Sequence, residues 1–274
     1  MNAPASLQRD DRRARHTAGP ARLAAVLALT AVAALAALSV LPARWIMAWV
    51  PDTAPVTVTE AQGSLWSAQV SLAVGAGPLR RSLPEPLRWR LAWAGGPRLV
   101  LSHAWLHSPL EIRPAWDGLH ISGQTLHIPA VVLTTLHAVF NTLEPGGELL
   151  LQWPDLRVGR SGPQAAPGQP LLLARWRNAR SALSRVVPLG EYRLSVEAAA
   201  GPEPVYALRL KTDQGPLRLE GAGTVTSAGR LRFDGKAWPD DSAPIETQAA
   251  LRRLLDVLGP EAGPDGATPL RMHS

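Results

Sequence analysis

Cysteine is absent from the chain. Disulfide staples and thiolate zinc sites are therefore excluded, and stability must come from burial and hydrogen bonding. Lysine is scarce as well, with 2 residues against 26 arginines. Beside abundant alanine, glycine and proline, that ratio reads as the codon bias of a G+C-rich gene. Phenylalanine and tyrosine number two each, whereas tryptophan numbers ten. Tryptophan is large and tends to stay partly exposed, which suits sheet faces and interfaces; the expectation is that it fills aromatic core positions.

Catalytic motifs are lacking too. There is no G-x-S-x-G elbow, no H-E-x-x-H and no phosphate-binding glycine loop. His103 and His107 are four apart but lie in a strand pattern, where that spacing does not converge two rings on one metal. Asp117, Glu144 and Asp155 fall near turns, where carboxylates accept from backbone donors. The expectation is a non-enzyme with no catalytic residue, no cofactor and no metal. A net charge of +6 invites a nucleic-acid reading. Half of it is local: Arg9, Arg12, Arg13, Arg15 and Arg22 against Asp10 and Asp11. The remainder is spread along strand patterns with no basic run, so no nucleic-acid partner is expected.

What is present begins with one long apolar run. Leu23–Leu41 holds 19 residues without a charge, and Pro42 and Ala43 extend it to Arg44. As a helix, Leu23–Ala43 would reach roughly 31 Å, about the hydrocarbon thickness of a bilayer. The arginines ahead of it place the N-terminus in the cytoplasm and the remainder across the membrane. A cleaved signal peptide is the rival. The run is longer than a signal core, its Ala-x-Ala triplets lie inside it, and Trp45 and Trp49 follow at headgroup level. A retained anchor fits better.

Beyond the anchor the dominant period is two. Leu65–Val74, Leu87–Trp93 and Leu99–Leu106 alternate apolar and polar residues. Shorter runs of the same kind recur from Leu110 to Phe233, separated by Gly, Pro, Asp or Asn, and short connections favour antiparallel neighbours. The fold class expected is mainly β: one transmembrane helix, then an antiparallel sheet or sandwich-like periplasmic domain with two short helices. A sandwich, an open sheet and a curved half-barrel are not separated by pattern alone. The helices are Pro129–Phe140 and Pro244–Leu258. Each follows a hairpin-like pair, GLHISGQTLHI and GRLRFDGKAW, as two copies of one unit or an unrelated recurrence would. The expected organisation is a basic tail over 1–22, the anchor over 23–43, β-rich halves over 44–158 and 171–258, a loop or hinge over 159–170, and a flexible tail over 259–274.

Several strings occur in a fixed order behind the anchor. They are Leu41-Pro42-Ala43 with Trp45; Gly63-Ser64-Leu65-Trp66; Leu83-Pro84 with Leu87-Arg88-Trp89; Pro109-Leu110; and Ile128-Pro129-Ala130. Then come Asn141-Thr142-Leu143-Glu144-Pro145-Gly146-Gly147, Leu149 to Trp153, Arg175-Trp176, Val187-Pro188-Leu189-Gly190-Glu191-Tyr192-Arg193 and Gly215-Pro216-Leu217. In this order the chain resembles the type II secretion system protein N family (general secretion pathway protein N), and the Asn-Thr-Leu-x-Pro-Gly-Gly string carries most of the likeness. The resemblance implies an inner-membrane accessory component of a machine that exports folded proteins from the periplasm. Its partners would be the inner membrane and other type II secretion components, with the pseudopilus or lipid as further candidates. It supplies no catalytic residues. The motif residues have the character of fold determinants. The alternative is an AsmA-like groove protein that handles lipid, in which strands apolar on both faces, such as Leu149–Leu151 and Leu171–Leu173, would line an acyl channel.

Overall fold

The computed structural model describes residues 30, 42–43, 56–74, 81–82, 85–135, 143–199, 205–258 and 266–273. Apart from Thr30, Pro42 and Ala43, the expected anchor lies outside the described residues, and no helix within them is long and apolar enough to cross a membrane. The chain is mainly β. Its strands are β1 (Val56–Ser64), β2 (Ser67–Val74), β3 (Arg81–Ser82), β4 (Leu87–Ala92), β5 (Arg98–Ser102), β6 (Leu110–Ala115), β7 (Gly118–Ile121), β8 (Gln124–Pro129) and β9 (Gly146–Trp153). They continue with β10 (Leu156–Gly159), β11 (Gly162–Gln164), β12 (Leu172–Arg180), β13 (Gly190–Ala199), β14 (Val205–Gln214), β15 (Leu217–Thr226), β16 (Leu231–Pro239) and β17 (Thr268–His273). A short 3-10 helix covers Ala130–Thr135, and helix α1 covers Ile245–Leu258.

Two antiparallel sheets result. The first runs β1-β2-β4-β5-β6-β7-β10-β11, with β3 beside β4 on β2; the second runs β17-β16-β15-β14-β13-β12-β9-β8. One ribbon joins them. Ile121 pairs with Leu156 in the first sheet, and Gln124 pairs with Trp153 in the second. The chain thus runs straight from β7 into β8 and from β9 into β10, bending at Ser122-Gly123 and Pro154-Asp155. Bends of this kind are how strands switch sheets. At Gly123 a side chain would stand 3.1 Å from the Asp155 nitrogen and 3.2 Å from the Trp153 oxygen, so the two backbones meet there. Twelve residues at strand rise give the ribbon a contour of about 40 Å.

Each sheet is amphipathic in one layer. Register aligns Val70, Leu87, Trp89, Leu91, Leu99, Leu101, Ile112 and Ile121 on one face of the first sheet. In the second it aligns Leu151, Ala174, Leu194, Leu210 and Leu270 in one row and Leu172, Val196, Leu208, Phe233 and Met272 in the next. Arg175, Arg193, Lys211, Glu220 and Lys236 share the opposite face. Most of the apolar residues are only half-buried. A second sheet packed over them would remove nearly all their exposure, so among the described residues these faces are not closed as in a sandwich. Among the described residues the one large side chain wholly out of solvent is Leu251. The core lies where α1 covers one end of the second sheet, uniting Ala179, Leu189, Tyr192, Leu217, Ala237, Leu251, Leu254 and Leu255. Away from α1, Phe233, itself buried, lies across Gly221, Gly223 and Gly235, its ring filling the space their side chains would take.

Several sequence expectations are corrected. GLHISGQTLHI is not a hairpin but β7 running into β8 across two sheets, and GRLRFDGKAW falls within the single strand β16 and its lead-in. The two-copy unit therefore does not exist. The expected helix over Pro129–Phe140 is a 3-10 segment in its described part; Val131, Val132, Thr134 and Thr135 are β-branched, and residues 136–140 lie outside the description. Within 159–170, Gly162–Gln164 folds back on β10, so the sheets do not divide at that loop. The expected tail contains β17, paired with β16 from Thr268 to His273. Pro269 is tolerated because β17 is an edge strand.

Candidate functional site

All the described motif residues but Trp153 fall into two clusters. Leu65 and Trp66 form the β1–β2 turn, Gly63 lies near the end of β1, and Leu87 and Trp89 lie on β4 beside them. The Trp89 indole donates to the Leu65 carbonyl at 2.9 Å, and the Leu91 amide donates to the Trp66 carbonyl at 2.7 Å. These bonds fix the turn to the sheet. Trp89→Phe keeps the aromatic packing and loses one bond, so it should cost about 1 kcal/mol, read as a small drop in midpoint in a denaturant titration.

The second cluster lies at the α1 end of the second sheet. The Leu143 carbonyl accepts from the Ser181 hydroxyl at 2.6 Å, and Trp176 donates its indole N–H to the Gly146 carbonyl at 2.9 Å. Gly147 has φ +99°, and a Cβ there would stand 2.5 Å from the carbonyls of Arg177 and Asn178. It faces the bulge in β12, where the register shifts between Trp176 and Ala179. Pro129 pairs with Glu148 at this same end. Leu189, preceded by Pro188, donates its amide to Ala179 at 2.7 Å, and the Leu217 amide donates to Leu189 at 3.0 Å. The Tyr192 hydroxyl donates to the Leu217 carbonyl at 3.2 Å, and burial pushes the phenol pKa upward. The Pro216 carbonyl accepts from the Asp240 amide at 2.7 Å. Strings up to 70 residues apart in sequence, Pro145-Gly146-Gly147 and Gly215-Pro216-Leu217, thus meet around one core. Asn141 and Thr142 lie outside the described residues.

Asp240 anchors the approach to α1. Its carboxylate accepts from the Ser242 amide at 2.9 Å and the Ser242 hydroxyl at 2.8 Å, and it pairs with Arg218. The Ser242 bonds, with Arg218, lower its pKa to about 2 from the usual 3.8. A depressed carboxylate stabilises the fold above its unfolded pKa and loses that contribution as pH falls through the folded value. Wild-type melting temperature should therefore decline between about pH 4 and pH 2, and Asp240→Asn should flatten that part of the profile in calorimetry.

Sequence reasoning missed the bend between the sheets. A cleft of about 440 Å³ opens there, lined among others by His107, Gln124, Gln152, Trp153 and Leu173. Gln124 is buried, its amide donating to the Ser108 carbonyl at 2.8 Å, and Asp155 accepts from the Gly123 amide at 2.8 Å. Trp153, the remaining motif residue, donates to the Ser122 carbonyl at 3.2 Å. Only the Gly123 and Pro154-Asp155 punctuation hinted at it, and such pairs mark ordinary turns equally well.

The His103 Nε2 donates to the Glu85 carbonyl at 3.0 Å while its Nδ1 accepts from the Trp105 amide at 3.1 Å, which occupies both ring nitrogens. Among the described residues no three His, Asp or Glu side chains gather as a metal site would need. Among the described residues the arrangement is a β scaffold of two antiparallel sheets whose apolar faces are largely half-buried. Two comparisons give that class a family. The family model described as Type II secretion system (T2SS), protein N, matches residues 54–271. Type II secretion system protein N of Klebsiella pneumoniae is 27% identical over 241 residues, covering 84% of this chain and 86% of that one. No solved structure matches significantly. The chain belongs to the type II secretion system protein N family, whose members are components of protein secretion machinery.

Proposed function

We propose that the chain is an inner-membrane accessory scaffold of type II secretion, anchored by Leu23–Ala43 with its β domain in the periplasm. There it assists the export of folded proteins by holding other components. The observation that carries this reading is the apolar face of the second sheet away from the α1 core, with Val196 and Leu208 half-buried and Met272 exposed on it. Such a face gains by covering, about 25 cal/mol for each Å² of apolar area removed from water. Among the described residues β17 pairs with a strand on one side only, β16, and a partner strand could extend its other side. Deletion of the gene should leave exported proteins trapped in the periplasm, and the intact chain should restore release. Normal release in the deletion strain would remove the scaffold role.

A second reading has the apolar face of this sheet hold an acyl chain, since Leu151, Ala174 and Leu194 continue the row on which Leu210 packs against the α1 core. Lipid extracted in stoichiometric amount from the purified full chain would favour it over protein docking.

A further inference from the structure

The hairpin turns of the first sheet share one end. Ser64 pairs with Ser67, Ala92 with Arg98, Ala115 with Gly118, and Gly159 with Gly162. The register across β2, β4, β5, β6, β7 and β10 sets these four turns side by side. With two strands per hairpin, neighbouring turns lie about 10 Å apart and the row spans about 30 Å.

Three of the four turns carry tryptophan. Trp66 is in the first, Trp93 begins the second and is 65% exposed, and Trp116 is in the third and fully exposed. Leu119, 45% exposed, adds apolar surface beside them. The fourth turn offers Arg160, also exposed. Nothing in sheet packing requires indoles at turn tips, where Gly, Asn, Asp and Pro are the usual residues.

The same end receives the end of the apolar run. Pro42 forms an antiparallel bridge with Ser64, and Ala43 is fully buried. The last residues of the run therefore sit one strand spacing, about 5 Å, from the first turn. We infer that this row of turns rests in the headgroup layer of the bilayer, its Trp93 and Trp116 rings forming an interfacial belt beside the anchor. Indoles favour that layer because one side of the ring is apolar and the N–H still finds a polar partner. The ribbon of β7–β8 and β9–β10 then carries the α1-covered core away from the membrane, by up to about 40 Å. Docking would fix which faces of the sheets look sideways toward partners.

This inference rests on the anchored reading above, and the test separates the two. The cysteine-free chain lets single thiols be placed freely. Ala94→Cys and Asp117→Cys sit in the tryptophan-bearing turns, and Glu85→Cys sits at the opposite end of the strands. Each full-length variant is labelled with an environment-sensitive fluorophore and reconstituted in phosphatidylethanolamine–phosphatidylglycerol vesicles containing shallow nitroxide lipids. The expected result is strong quenching at 94 and 117 and none at 85. Combining Trp93→Ser with Trp116→Ser should leave vesicle flotation intact and abolish the quenching. Flotation without quenching at 94 and 117 overturns the belt and spares the anchor. So does quenching equal at all three positions, and so does a blue shift at the turns that appears only on adding another protein. A chain that does not float at all overturns the anchored reading and the belt with it.

Discussion

Gly215→Ala is expected to lower the melting temperature by about 10 °C, a loss of roughly 3–5 kcal/mol. Two costs add. The residue has φ +123°, a region that L side chains avoid at about 1–3 kcal/mol. The added Cβ would stand 2.2 Å from the Gly190 Cα and 2.9 Å from the Leu189 carbonyl. Both neighbours are backbone, so no side chain can swing aside. The β14–β15 turn would have to lift from the β13 entry, stretching the Leu217–Leu189 hydrogen bond and disturbing the Tyr192 hydroxyl. Gly229→Ala is the control. It also has positive φ, at +80°, but nothing lies within 4 Å of the added carbon. It should cost only the backbone term, about 1 kcal/mol. Equal losses at the two sites, read in parallel thermal melts, would mean that the close approach of Gly190 and Gly215 is not what holds this end together.

Leu251→Ala has the second large effect. Leu251 is wholly buried on the face of α1 that meets Leu254 and Leu255, against Tyr192, Leu217 and Ala237. Truncation removes transfer energy and leaves a cavity that a sheet on one side cannot collapse, a cost of about 3–5 kcal/mol. The loss should be concentrated where the core is. Hydrogen exchange should accelerate first in α1, β15 and β16, while the first sheet keeps its protection. Uniform acceleration through both sheets would show instead that they unfold as one unit.

Much of the local structure was legible in the sequence. Period-two runs such as Leu87–Trp93 and Tyr192–Ala198 became β4 and β13, because a one-residue slip would turn each apolar face to the wrong side. Helix α1 was legible from Leu251, Leu254, Leu255 and Leu258 at helical spacing, with Gly259-Pro260 to stop it. The assembly was not legible. Alternation says which residues share a face but not which strand is the neighbour, so the passage from β7 to β8 across two sheets has the pattern of a hairpin. Edge strand β17 is not legible from its pattern, because Pro269 sits inside a six-residue segment framed by Gly and Pro. The candidate surface was half legible. The motif strings pointed to residues that gather around the Tyr192 core, but the open apolar face is defined by what does not cover it, and no single strand carries that information.

That open face is the centre of the account, and crosslinking inside the cell tests it most directly. A photoreactive residue would replace Val196 or Leu208, which pair on the uncovered apolar face, and Arg209, which points to the charged side. In cells carrying the complete secretion machinery, positions 196 and 208 should each yield a discrete adduct with another type II secretion component, and position 209 should yield none. Capture of lipid alone, of a second copy alone, or of the same partner from all three positions would contradict it.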